Sequence, residues 1–189
     1  PAASTGGHFV DWSGLLEAPA GKRGWVKAKD ERLVFDDGTT VRFWGTSLVG
    51  TECFPTRAAA DSLAKRLSRM GANLVRLHHM DAPWSKPNLF GNAASTRKLD
   101  SAALDRVDYL IMALKRRGIY VMPDLLVHRQ FTAADGIPEG STLGAKQVAI
   151  FSPRLIKLQQ EFAKNLFSHF NPHTGLAWKD DPAIALTEC

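Results

Sequence analysis

The sequence predicts an α/β protein built on a parallel sheet, and three observations carry that reading. Four strand-like runs, at 41–46, 72–79, 119–126 and 183–188, alternate with three helix-like stretches. Strands alternating with amphipathic helices form right-handed crossover units, whose sheet must be covered on both faces. The returns from helix to strand are very short, with Gly71 leading into Asn73-Leu74-Val75 and Gly118 directly into Ile119-Tyr120-Val121. The strand-to-helix segments, 80–99 and 127–151, are long. The chain stops one residue after the fourth run, so the sheet is expected to be cut off before its edges are closed or protected.

Length and composition bound the rest. The 189 residues suit one ordinary domain, and 44% apolar with 23% charged residues is the balance of a soluble globular protein. No apolar run approaches the roughly 20 residues of a membrane helix, so no membrane partner is expected. A net charge of +5, with Lys22-Arg23, Lys65-Arg66 and Lys115-Arg116-Arg117, raises a nucleic-acid reading. Two of these clusters fall at helix ends, where cations favour the negative pole of the dipole, and no nucleic-acid partner is expected. Cys53 and Cys189 form neither a disulfide framework nor a metal-ligand spacing, and neither metal nor cofactor is expected. Pro1-Ala2-Ala3-Ser4-Thr5-Gly6-Gly7 has no charged or apolar leader region, so a signal peptide is absent or already removed.

The elements follow in order. Residues 1–40 read as an extension: short alternating runs at 25–29 and 32–35, then the turn chemistry of Asp36-Asp37-Gly38-Thr39, predict a β-hairpin leading into the first main strand. No linker rich in Gly, Ser or Pro follows, so residues 1–189 are one domain, with 41–189 as its main part. Trp44, at the end of the first run, is assigned to the core. The first helix spans about 56–70, with Leu63, Leu67 and Met70 on one face, Ala60 and Ala64 extending it, and Gly71 as the left-handed stop. Asp100 caps the second, where Leu104, Val107, Leu110, Ile111 and Leu114 recur at helical spacing. Ser152 caps the third and Pro153 opens it, with an apolar stripe of Leu155, Leu158, Phe162, Leu166 and Phe170.

Long strand-to-helix segments place the site beyond the C-terminal ends of the strands, in doubly wound sheets and barrels alike. The most pointed segment is Leu74-Val75-Arg76-Leu77-His78-His79-Met80-Asp81. Alternation puts Arg76 and His78 on one side of the strand, and an Arg there needs a partner because its charge cannot be removed. It is either a buried structural ion pair or a fixed cation that orients a carboxylate or a substrate hydroxyl. His78 and His79, as strand neighbours, are expected to diverge, which argues against a metal site. Trp84, in the loop just beyond, either anchors that loop or offers a flat ring for stacking on a sugar or a base. Asp124, His128 and Arg129 form a second polar cluster at the end of the third run. No glycine-rich phosphate loop, nucleophile elbow or recognisable Cys–His pattern is present.

The order of these pieces resembles the N-terminal half of the cellulase-like glycoside hydrolases of the family 5 type. The matching segments are Phe35-Asp36-Asp37-Gly38 with Val41-Arg42-Phe43-Trp44-Gly45, then Gly71 to His79, and Arg116-Arg117-Gly118-Ile119-Tyr120-Val121. Asn171-Pro172-His173-Thr174-Gly175 and Asp181-Pro182-Ala183-Ile184-Ala185-Leu186-Thr187-Glu188 complete them, over about residues 10–188. The resemblance implies a (β/α)8 barrel, of which this chain would be the first half: about four parallel strands and three helices behind a small β-hairpin. It also implies an acid/base Glu in an Asn-Glu pair just past the fourth strand and a nucleophilic Glu ending the seventh. Neither motif occurs here, so no catalytic residue is expected in this chain. Glu188 matches the strand residue before the Asn-Glu pair. Cys189 stands where an aliphatic residue would, which suggests a cloning boundary, a frame break or a truncated product. Arg76 matches the Arg that helps orient the nucleophile. Leu126 stands where many relatives carry a His, a contact His128 would have to supply.

By this resemblance, the chain is expected to be part of a retaining enzyme that hydrolyses O-glycosidic bonds in a polysaccharide or oligosaccharide, inactive alone, with Arg76, His78, His79, Trp84 and His128 facing the substrate. The resemblance suggests an extracellular or periplasmic location. The alternatives are a non-catalytic half-barrel that binds carbohydrate or self-associates, and a barrel enzyme of different chemistry.

Overall fold

The computed structural model describes residues 11–138 and 145–189, so the leader reading lies outside the described residues. An antiparallel sheet of three strands comes first: β1 (Lys27–Lys29), β2 (Arg32–Val34) and β3 (Thr40–Val41), in that order. The expected hairpin is there, and β3 adds a strand to it. Phe35 and Val41 pack with Ala20, Tyr120 and Ala183 into a small cluster, which fixes this sheet under the N-terminal ends of the main strands.

The main sheet is parallel, in the order β4 (Gly45–Val49), β5 (Leu74–His78), β6 (Tyr120–Pro123). Its first strand corrects the reading of 41–46. Val41 pairs with Leu33 in the antiparallel sheet, and the parallel strand starts only at Gly45, opposite Leu74. Asn73 sets this crossing: its side-chain amide donates to the Arg42 carbonyl (2.8 Å) and accepts from the Trp44 N–H (2.7 Å). Gly45 is required there, because a Cβ would lie 2.3 Å from the Leu74 carbonyl oxygen. Trp44 is 72% exposed, so its core assignment is also corrected.

The run 183–188 lies beside β6 in parallel sense, but as two isolated bridges, Val121↔Ile184 and Asp124↔Glu188, rather than a fourth continuous strand. The reason is local. Val121 N–H donates to Ala183 O (2.8 Å) and Leu125 N–H to Glu188 O (2.9 Å), whereas Pro123, the residue between them facing the same side, has no N–H to give.

The helices follow their caps. α1 (Arg57–Arg69) starts at Thr56, whose hydroxyl accepts from Ala59 N–H, and stops before Gly71 at φ +75°. Ala60, Ala64 and Leu67 are buried, but Met70 is exposed because it lies past the last turn. α2 (Ser101–Lys115) starts at Asp100, whose carboxylate accepts from Ala103 N–H (2.8 Å). A short turn, α3 (Ala145–Val148), precedes α4 (Pro153–Phe167), capped by Ser152. The stripe of α4 ends at Leu166. Phe170 lies beyond the helix, exposed in the small ribbon β7 (Phe170–Asn171) and β8 (Leu176–Ala177).

Val75 and Leu77 of β5 are fully buried with Val107, Leu110, Ile111 and Leu114 of α2. The residues alternating with them, Leu74, Arg76 and His78, occupy the other face of the sheet and are only partly buried. That face carries the polar residues.

Candidate functional site

Arg76 is the hub. Its Nε donates to both oxygens of Asp124 (3.1 Å each), and one Nη donates to Asp124 Oδ2 (3.0 Å) and to Glu188 Oε2 (2.7 Å). His78 Nδ1 shares a short hydrogen bond with the same Asp124 oxygen. The Asp124 side chain is 1% exposed, a position a carboxylate keeps only with charged or hydrogen-bonding partners. The hydrogen bond to Asp124 raises the pKa of Arg76 above its ordinary value. The pair therefore joins β5 to the end of β6 and to the 183–188 run. The juxtaposition of Arg76 and His78 was legible from period two. The contact with Glu188 escaped sequence reasoning, although the register that sets Leu77 opposite Pro123 carries Asp124 to the level of His78.

His79 departs from expectation. Its φ of +60° ends the strand, and its ring meets that of His78 edge-on, with centroids 3.8 Å apart, so the two side chains do not diverge. His79 also neighbours Trp84 (5.3 Å) and His128 (5.9 Å), and Trp84 lies 6.3 Å from His128. The Trp84 ring rests on Gly50, where a Cβ would come within 2.6 Å of it, yet the residue stays 53% exposed. Trp84 is thus seated against the loop backbone and partly open to solvent. His128 is exposed, and its backbone is tied to buried Asp81 by amide–carboxylate hydrogen bonds. Leu126 packs against the separate cluster around Phe131, Leu155 and Leu158.

The structure thus brings Arg76, His78, His79, Trp84 and His128 to one end of the strands, as two touching groups: an ion-pair group and an aromatic group. Arg129 is not among them. It is 2% exposed, lies over the rings of Phe90, Phe131 and Phe162, and donates to Thr96, Leu158 O and Gln159. Burial pushes its pKa down to about 10, still protonated at neutral pH. Nearby, fully buried Asp135 accepts from Ser95, Thr96 and Thr132. Burial works to raise its pKa, but these hydrogen bonds outweigh it and hold the carboxyl below its ordinary value. These two residues stitch the long segments together and to α4. Among the described residues, no group of three or more His, Cys, Asp or Glu side chains is arranged to hold a metal ion.

No protein-family model matches the sequence, and none of the curated proteins matches it. Solved structures do. The endo-1,4-β-mannanase from Rhizomucor miehei superposes with a TM-score of 0.69 at 17% identity, over 87% of this chain and 47% of that one. A glycoside hydrolase family 5 mannosidase from the same organism gives 0.64 at 16% identity, over 86% and 47%. The endo-β-1,4-mannanase from Thermotoga petrophila gives 0.58 at 18% identity, over 80% and 35%. Identities this low show the fold, and the chain spans about half the length of the first two and about a third of the other. These neighbours are barrels, so this chain has the architecture of part of a (β/α)8 barrel.

Proposed function

We propose that these residues form the substrate-orienting half of a glycoside hydrolase cleft, acting on a β-linked polysaccharide such as a mannan. The carrying observation is the half-open Trp84 ring beside His79 and His128, next to the Arg76–Asp124–His78 network, at the C-terminal end of a parallel half-barrel. A sugar ring offers an apolar face to an indole and hydroxyls to imidazoles, so the aromatic group suits a pyranose. The ion-pair group suits a different task. An Arg fixed by a buried carboxylate presents its remaining N–H groups in one direction, where they hold a catalytic carboxylate ionised and oriented.

Retaining hydrolysis needs two carboxyl groups about 5 to 5.5 Å apart, one as nucleophile and one as acid and then base. Asp124 does not suit either role, because its side chain is 1% exposed and so is closed to a substrate. Glu188 pairs with Arg76, but by the resemblance it matches the strand residue before the catalytic Asn-Glu pair and is not taken as either carboxylate. The reading is therefore that the two catalytic carboxylates come from the other barrel half, and that these 189 residues bind sugar without cleaving it. Because polysaccharides are met outside the cell, the working place would be extracellular or periplasmic; among the described residues no helix is long and apolar enough to cross a membrane.

Incubating the purified chain with mannohexaose and chromatographing the sugar tests this. Intact hexaose is expected, and release of product with retained anomeric configuration would overturn the assignment of both carboxylates elsewhere. A second reading, a half-barrel that self-associates, draws support from the exposed residues of β4, where Gly45, Thr46, Ser47 and Val49 are open.

A further inference from the structure

We infer that Asp81 is a positioning residue: its buried carboxylate fixes the 127–129 turn, and so places His128 beside His79 and Trp84. Asp81 is 4% exposed. Its Oδ2 accepts from the N–H groups of Val127 (2.9 Å), His128 (3.1 Å) and Arg129 (3.0 Å), and its Oδ1 from His128 again (3.0 Å). Three successive amides converging on one carboxylate make an anion-holding nest inside a single chain, with each hydrogen bond strengthened by the charge.

The arrangement answers a structural need. The chain leaves β6 at Pro123, and residues 127–129 belong to no helix or strand. The His128 ring is exposed, so its own packing does little to fix it. The loop after β5 is anchored by its own backbone, since Ala82 N–H donates to His79 O (3.2 Å) and Leu89 N–H to Met80 O (2.9 Å). That loop carries His79, Asp81 and Trp84. Arg129 ties the far end of this turn to α4 through its side chain, and Asp81 adds the backbone tie across to the loop after β5, at the level of the three rings. Asp81 acts through the backbone amides of Val127, His128 and Arg129.

The affinity consequence rests on the proposed carbohydrate reading, whereas the geometric one does not. Asp81→Ala is expected to speed amide hydrogen exchange at residues 127–129 by about tenfold or more. It is also expected to abolish the nuclear Overhauser contact between the Trp84 and His128 rings, and to weaken mannohexaose binding by about tenfold. Asp81→Asn keeps one acceptor oxygen and the side-chain shape but turns a donor toward the His128 amide. It should restore the ring contact and most of the affinity while leaving faster exchange at His128. If Asp81→Ala does not fold, Asp81→Asn carries the test. Unchanged exchange at all three amides in Asp81→Asn, or an intact ring contact and wild-type affinity in Asp81→Ala, would overturn the inference. If the wild-type chain binds no mannohexaose while exchange and ring contact respond as described, the positioning role stands and the carbohydrate reading falls.

Discussion

Asp124 shows how much of this site is decided by one side chain. A carboxylate that is almost wholly buried is costly unless charge and hydrogen bonds surround it, and here Arg76 and His78 supply both. Period two along β5 made the Arg–His pair readable. Nothing local announced that Glu188 would meet the same guanidinium, because that contact joins residues more than a hundred positions apart. His79 was misread for a related reason: its left-handed backbone is a property of how the strand ends, which alternation does not encode. The two cysteines offer a check at this scale. Cys53 is fully buried, donates to Leu48 O, and has its thiol pushed up to about 12 by burial, while Cys189 is exposed. A thiol reacts through its thiolate, so at pH 8 the native chain should titrate one thiol with a chromogenic disulfide and the denatured chain two. Two fast thiols in the native state would show that the packing between β4 and α1 is loose.

Among the elements, the helices were the most legible. Thr56, Asp100 and Ser152 cap them as their chemistry dictates, and Gly71 and Gly118 supply the left-handed stops. The strands were less so. Val41 to Trp44 alternates as well as any strand, but alternation does not say which sheet a strand joins, and Asn73 passes the chain from one sheet to the other. Pro123 divides the expected fourth pairing by withholding one amide, a signal that the sequence itself carries. The long loops hold together through Arg129, which joins them to α4. Arg129→Ala would remove the donor of the buried Thr96 carbonyl and leave the space between Phe90, Phe131 and Phe162 unfilled. It is expected to lower stability by about 3 kcal/mol in denaturant unfolding, and Arg129→Lys, lacking the planar fork, to recover little. A loss below about 0.5 kcal/mol would mean that Arg129 is not the tie described.

For the whole molecule, the fold that alternation and loop lengths suggested is the one found, short of a formal fourth strand, and it matches part of much longer barrels. A parallel sheet whose edge strand β4 is open through Gly45, Thr46 and Ser47 invites pairing. With reductant present to keep Cys189 from cross-linking, sedimentation should show a mass that rises with concentration. A monomer at every concentration would mean that the edges are protected within the chain itself. The cluster at the strand ends was legible as residue types gathered there, but its two groups and their supports were not, because they depend on loop geometry.

The face built by His79, Trp84 and His128 is proposed to hold a sugar chain. Calorimetric titration of mannohexaose into the wild-type chain and into Trp84→Ala tests it most directly. Saturable binding is expected for the wild type, weakened about tenfold in Trp84→Ala by loss of ring stacking. Equal affinity in the two proteins, or no binding to the folded wild type, would contradict it.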